Sequence, residues 1–213
     1  MSAESKESST DRPPPLNVAA VLLAAGLSSR MGARNKLLID IEGEPLVRRM
    51  ARTYLAAGAD VHVVVGHEAA AVRAALADLP LSFVENPRFG EGQQTSVRAG
   101  LDGLPEGHHA VLVALADQAA LTPADIRGLL RAFAEGDRDR ILIPFHNGQR
   151  GDPVLFPADI IAEIRAGGHN AACRKFIDAN PLLTRHYEAA SDHFIIDIDT
   201  PDDLRSFTDR RRS

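Results

Sequence analysis

At 213 residues, with 45% hydrophobic and 25% charged side chains, the chain has the composition of one globular domain carrying a short tail. Collagen-like and low-complexity polymers are excluded, and so is a disulfide framework, because Cys173 is the single cysteine. A net charge of −5, from 24 Lys and Arg against 29 Asp and Glu, gives no bulk attraction to nucleic acid or to an anionic membrane, and neither is expected as a partner.

No run reaches the roughly 20 apolar residues of a membrane helix. The polar start MSAESKESST lacks the apolar stretch of a signal peptide. A cytoplasmic protein with a reduced thiol is expected.

In chain order, residues 1–16 are rich in Ser, Glu and Pro, and are predicted to be a disordered tail, since they cannot bury enough apolar surface to offset their ordering entropy. From Asn17 the run NVAAVLLAAG reads as a strand buried on both faces, which requires helices above and below it. Val61–Val65, Val111–Leu115 and Ile141–Pro144 read the same way. Between them, Pro45–Ala57 has helical spacing of Leu46, Met50 and Tyr54, with Pro45 in the first turn and Gly58 at the C-terminal cap. Thr122-Pro123-Ala124-Asp125 is a second helix start, with Thr122 as N-cap. Further on, Pro153–Phe156 and Phe194–Ile198 are predicted strands, and Thr200-Pro201-Asp202-Asp203 opens a last helix. The alternation predicts an α/β fold: one doubly wound, Rossmann-like, mostly parallel sheet with helices on both faces. Residues 17–208 would form it, and 209–213 would be a solvated basic end.

The segment Leu23-Ala24-Ala25-Gly26-Leu27-Ser28-Ser29-Arg30-Met31-Gly32-Ala33-Arg34-Asn35-Lys36 follows the first strand, where open α/β sheets bind ligands. Small residues let backbone N–H groups approach an anion, and Arg30, Arg34 and Lys36 add cations with no acid between, a combination suited to polyphosphate. Neither a Walker loop nor a G-x-G-x-x-G fingerprint is present. Asp117 leaves the end of Val111–Leu115, where a carboxylate faces either a metal ligand's role or a turn cap. Asp197 and Asp199, two apart on a predicted strand, would share one face, and either could join Asp117 around a hard ion such as Mg²⁺. Asp202 and Asp203 are read as helix-start acids. The loop Asn86–Arg98 runs into a helix and offers Asn86, Gln94 and Ser96 to a nucleobase or ribose, or to the cap of that helix. His108 and His109 sit in a Pro/Gly turn and are expected in solvent. No Ser-His-Asp pattern and no nucleophile motif around Cys173 support covalent catalysis.

Taken together, Leu23 to Gly32 with Lys36-Leu37-Leu38, Glu91-Gly92 with Ser96 to Gly100, Ala116-Asp117-Gln118, Arg150-Gly151-Asp152-Pro153-Val154-Leu155-Phe156 and Asp197 to Leu204 resemble the nucleotidyltransferases of molybdenum-cofactor maturation. Among these the chain is most similar to the cytidylyltransferases, which share Ala-Ala-Gly in the opening motif. The resemblance implies Mg²⁺-dependent transfer of CMP from CTP to the terminal phosphate of molybdopterin, with pyrophosphate released. It implies that Leu23, Ala24, Ala25 and Gly26 hold the nucleotide and that Arg30 and Lys36 hold the triphosphate. Asp117 and Asp199 would hold the metal, so that Arg30, Lys36 and Asp117 are the catalytic set. Two departures stand out: Ala116 and Ala119 flank Asp117-Gln118 where the family has Gly and Pro, and Asp152 replaces a histidine. The rival enzymatic readings are guanylyl transfer and transfer to another phosphorylated acceptor such as a sugar phosphate. A rival of another class is a non-catalytic escort that delivers the cofactor to a molybdenum hydroxylase of the xanthine dehydrogenase type.

Overall fold

Every residue of β1 (Val18–Ala24) is buried. Val18, Ala20, Leu22 and Ala24 enter one hydrophobic core, while Ala19, Val21 and Leu23 enter another, as a strand covered on both faces requires. The computed structural model describes residues 16–28, 31, 35–167 and 173–212, with the side chains of 211 and 212 left out. After β1 come β2 (Asp40–Ile41), β3 (Glu44–Pro45), α1 (Leu46–Ala56), β4 (Asp60–Val65), α2 (Ala69–Ala75), β5 (Ser82–Glu85), α3 (Gln93–Asp102), β6 (Ala110–Leu115) and α4 (Pro123–Glu135). The chain continues through β7 (Ile141–His146), β8 (Gln149–Arg150), β9 (Val154–Pro157), α5 (Ala158–Ala166), α6 (Cys173–Ala179), β10 (Thr184–Glu188) and α7 (Pro201–Arg212).

The main sheet has the order β10-β7-β9-β6-β1-β4-β5, with β8 on the edge of β7. β1 lies between β4 and β6 and is parallel to both. β5 pairs in parallel with β4 and β10 with β7, whereas β9 runs antiparallel to β6 and β7. The first core takes Leu46, Met50 and Tyr54 from α1, Val72 from α2 and Ile126, Leu129 and Phe133 from α4. The second takes Val97 and Leu101 from α3, Ile160 and Ile164 from α5 and Ile177 from α6. The predicted mostly parallel sheet with helices on both faces is therefore present. Order reversal at β1, with β4 on one side and β6 on the other, leaves a crevice beyond their C-terminal ends.

Local signals explain the helix starts. Thr122 and Asp125 form a reciprocal capping box: the Thr122 hydroxyl accepts from the Asp125 amide at 3.3 Å and the Asp125 carboxylate accepts from the Thr122 amide at 2.9 Å. Pro45 differs from expectation by one position, since it is extended and precedes α1 rather than opening its first turn.

The predicted strand Phe194–Ile198 does not form. Its residues make a short 3-10 helix, Asp192–Ile195, and then an unpaired extended stretch. The apolar pattern that suggested a strand comes from plugs, as Phe194 and Ile198 are each 1% exposed. Their backbone polar groups find partners on loops instead of a sheet neighbour: Phe194 O accepts from Asp152 N at 3.0 Å and Ile198 N donates to Asp117 O at 2.9 Å. The sheet edge on that side is taken by β10, a mostly polar strand that the sequence did not flag. His108 also departs from expectation, with its ring turned inward and only 7% exposed, while His109 is exposed. At the two ends, the tail assigned to 1–16 lies outside the described residues except Leu16, which packs against the first core. The basic end continues α7 as far as Arg212. Among the described residues no helix is long and apolar enough to cross a membrane.

Helix α3 sits directly on β1 and β4 because Gly100 has no side chain. A Cβ there would lie 2.3 Å from Val21 Cγ1 and 2.8 Å from Val64 Cγ2. Gly100→Ala should therefore lower stability by about 1–3 kcal/mol through overpacking, read as a reduced urea midpoint with an unchanged m-value.

Candidate functional site

The crevice beyond β1 and β6 is a cleft of about 400 Å³. Leu23, Ala25, Gly26, Leu27 and Ser28 line it from the β1 side, Leu115 and Asp117 from β6, and Asp197 and Asp199 from the C-terminal segment. A Cβ on Gly26 would meet nothing within 4 Å, so the protein's own packing does not require a glycine there. The open space lies on the cleft wall, where a ligand can come close to the backbone.

Lys36 is the centre of the site. Asn35 caps the 3-10 helix Lys36–Leu38, its side-chain oxygen accepting from Leu37 N, and the Ser28 hydroxyl accepts from Lys36 N at 3.2 Å. So anchored, Lys36 Nζ donates to Asp117 Oδ2 and, at 2.7 Å, to Asp199 Oδ1. Side chains of Lys36 and Asp117 keep only 14% and 16% of their surface in solvent, so this is not a screened surface pair. Burial alone would push the Lys36 ammonium down, but the two carboxylates outweigh it and hold its pKa above the ordinary lysine value.

The far side of the triad carries surplus negative charge. Asp117 Oδ1 is buried with no hydrogen-bond partner among the described residues. Desolvation, then the charges of Asp117 and Asp152, push the Asp197 carboxyl up to about 6 despite a hydrogen bond from Gln118. Burial and the Asp117 charge likewise raise Asp152, against the opposing influence of Arg150 and Arg174. Two carboxylates already share one cation at Lys36 Nζ, and an orphaned carboxylate oxygen lies beside it. These are the donors a hard divalent ion takes. Asp203 is not among them, since it accepts from Thr200 N at 2.7 Å and from Asp199 N at 3.1 Å as a cap of α7.

Of the residues expected at a nucleotide, Leu23, Ala25, Gly26, Lys36, Ser96 and Asp117 line the cleft together. Ala24 does not; it is fully buried in the first core. Asn86 is 2% exposed and holds its own loop, donating to Thr95 Oγ1 and Ser96 Oγ at 2.9 Å each and accepting from Arg88 N. Gln94 lines the neighbouring pocket, and it is Gln93 that borders both. Arg30 and Arg34 lie outside the described residues. Sequence reasoning missed Asn35 and Ser28 as the supports of Lys36, although an Asn just before a helical turn is an N-cap signal.

The neighbouring pocket, about 380 Å³, shares Gln93 and Leu115 with the cleft and is walled by Arg150, Asp152, Val154, Phe156, Cys173 and Arg174. Gly151 makes that wall possible, because a Cβ there would lie 2.4 Å from the carbonyl oxygen of Phe194. The Arg150–Phe156 motif, which says little alone, thus borders a second compartment that shares two lining residues with the first.

This is the architecture of a nucleotidyl-transferring enzyme. The chain belongs to the MobA-like NTP transferase domain family, which matches residues 20–189. It is 30% identical to nicotine blue oxidoreductase of Paenarthrobacter nicotinovorans over 88% of this chain and 94% of that protein. With molybdenum cofactor cytidylyltransferase of Escherichia coli it shares 26% identity over 89% of this chain and 95% of the other. The chain also spans about a quarter of the length of the bifunctional GlmU protein of Halorhodospira halophila, at 42% identity over 53% of this chain and 24% of that one. A solved nucleotidyl transferase from Methanothermobacter thermautotroptrophicus has the same fold, with a TM-score of 0.76 at 24% identity over 91% of this chain and 97% of that one.

Cys173 lines the second pocket yet is 8% exposed, and burial pushes its thiol up to about 12. At pH 8 the thiolate fraction is then on the order of a thousandfold below that of an ordinary thiol. Native protein should react with a disulfide reagent at pH 8 far more slowly than protein in urea, and equal rates would show an accessible thiol.

Proposed function

We propose that this enzyme transfers CMP from CTP to the terminal phosphate of molybdopterin, with pyrophosphate released, and that it works in the cytoplasm with residues 17–208 as its domain. The observation that carries the reading is the Lys36 ammonium held between Asp117 and Asp199 at the floor of a cleft beyond β1 and β6. The similarity to a molybdenum cofactor cytidylyltransferase over nearly the full length of both chains supports the choice of substrates.

The cleft takes the nucleotide, with the backbone of Leu23 to Gly26 against it and Lys36, joined by Arg30, on the triphosphate. Asp117 and Asp199 hold a divalent metal. Mg²⁺ bound there supplies charge neutralisation on the phosphates. The second pocket takes the acceptor, with Arg150 and Arg174 facing its phosphate. Asp152 stands where the family has histidine; burial and the charge of Asp117 raise its carboxyl, while Arg150 and Arg174 oppose the rise and offset its charge toward that anion.

The acceptor is a phosphate monoester whose second pKa is about 6, so it is anionic near neutral pH and requires no protein base. Its oxygen attacks the α-phosphorus, the bond to the β-phosphate oxygen breaks, and pyrophosphate leaves. What the chain must supply is alignment and charge stabilisation. Gln93 and Leu115, common to both pockets, mark where the two substrates meet. The product then passes to a molybdenum hydroxylase.

The test is pyrophosphate release from CTP, GTP, ATP and UTP with molybdopterin as acceptor. Preference for CTP is expected, and Asp117→Asn should lower kcat by about 100-fold or more with the fold intact. Release from GTP alone, or with a sugar phosphate alone, would replace the assignment. Tight cofactor binding without turnover would make the chain an escort. Reduction of nicotine blue without any transfer would align it with the relative named as an oxidoreductase.

A further inference from the structure

At the opposite end of the sheet, three metal-ligating side chains converge. Asp60 and His62 lie two apart on β4 and so share a face, and His108 reaches them from the loop that enters β6. His62 Nε2 is 3.1 Å and His108 Nε2 is 3.2 Å from the same oxygen, Asp60 Oδ2. Asp60 pairs with Ala19 near the start of β1, five residues before Ala24, which puts the cluster about 16 Å along the strand from the cleft.

Hydrogen-bond accounting makes this more than an ion pair. His108 Nδ1 lies 3.2 Å from the carbonyl oxygen of Pro105, which can only accept, so Nδ1 carries the proton. In the neutral ring Nε2 then presents a lone pair to a carboxylate oxygen. Something positive must lie between them, either a second ring proton or a metal ion. Both Nε2 atoms converge on the one oxygen, with all three ligand atoms within 4.8 Å of one another, so a single ion can reach all three. For bonds of about 2.05 Å, the ligand–ligand edge of a tetrahedral zinc site is about 3.3 Å, close to both separations. An imidazole that ligates through Nε2 and donates Nδ1–H to a backbone carbonyl is also the usual outer-shell arrangement of metal-bound histidine.

The ring of His108 is 7% exposed and that of His62 5%, whereas the Asp60 side chain is 48% exposed. The buried rings are preorganised, and the exposed Asp60 carboxylate leaves the cluster accessible from solvent on its side. The His108 loop is itself pinned, since Asn17 N donates to His109 Nδ1 at 2.9 Å and His109 N donates to Asn17 O at 2.8 Å.

We infer that Asp60, His62 and His108 form a three-ligand site for a divalent transition-metal ion of the zinc class, separate from the oxygen-ligated site in the cleft. Two imidazoles and one carboxylate select such ions over Mg²⁺. Bound there, the ion clips the loop between α3 and β6 to the start of β4.

The test is titration of the purified, chelator-stripped, tag-free chain with Co²⁺, read by its visible absorption, followed by Zn²⁺. One equivalent of Co²⁺ with tetrahedral bands is expected, displaced by Zn²⁺ and untouched by excess Mg²⁺. His108→Gln and Asp60→Asn should each weaken Co²⁺ binding by more than about 100-fold, since even an outer-shell partner is worth about 10–100-fold. Absence of one equivalent of tetrahedral Co²⁺ bands in the wild type, measured with excess Mg²⁺ present, overturns the site, and so do tetrahedral bands that survive either substitution. Asp60 is exposed, so if His108→Gln does not fold, Asp60→Asn decides alone.

Discussion

The ion triad of Lys36, Asp117 and Asp199 is the constraint on which the rest of the structure depends. Its members come from three distant stretches: the loop after β1, the end of β6 and the segment before α7. Parallel pairing of β1 with β6 in register brings the first two to the same end of the sheet. The third arrives because Phe194 and Ile198 plug the core and Ile198 N docks on Asp117 O. A buried ammonium with no partner would be expelled or neutralised. A buried pair of carboxylates with no cation would repel. Each side thus makes the other tolerable, and the chain is drawn across the sheet end to achieve it.

The triad is not electrically balanced. One ammonium faces Asp117 and Asp199, with Asp197 and Asp152 nearby, whose carboxyls are raised first by burial and then by the neighbouring negative charge. In the proposed reaction a dication would relieve that repulsion, and a polyphosphate would offer the displaced ammonium a new partner. Under the proposed function, exchange of Lys36 from carboxylates to phosphates would couple metal arrival to nucleotide arrival. The bulk charge of −5 is a poor guide to these ligands. What matters is a local surplus of acid at the cleft floor, beside cations at Lys36, Arg150 and Arg174.

Much of this was legible in the sequence, for identifiable reasons. A seven-residue strand buried on both faces leaves an unbroken apolar run, so β1 was plain, and a carboxylate two residues after the β6 run marked Asp117. Thr122 and Asp125 declared their cap through spacing alone. The failures share a cause as well. Phe194–Ile198 has the alternation of a strand, but its two apolar anchors are set by loops distant in sequence. In β10 the hydrogen bonds to β7 are main-chain, and side chains that are half exposed leave no apolar signal. Asn86 could have turned to ligand or to loop, and the close packing of its amide against Thr95 and Ser96 decided for the loop. The rule that residues two apart share a strand face was applied to Asp197 and Asp199, where no strand exists. It holds at Asp60 and His62, whose third member, His108, is 46 residues further on and invisible to spacing.

The most direct measurement is a crystal structure with Mn²⁺ and a non-hydrolysable CTP analogue, with the metal located by anomalous scattering. A manganese peak touching Asp117 and Asp199, with Lys36 Nζ moved onto a phosphate oxygen, is the predicted result. A peak elsewhere, or Lys36 still bridging the two carboxylates beside a bound nucleotide, would contradict it.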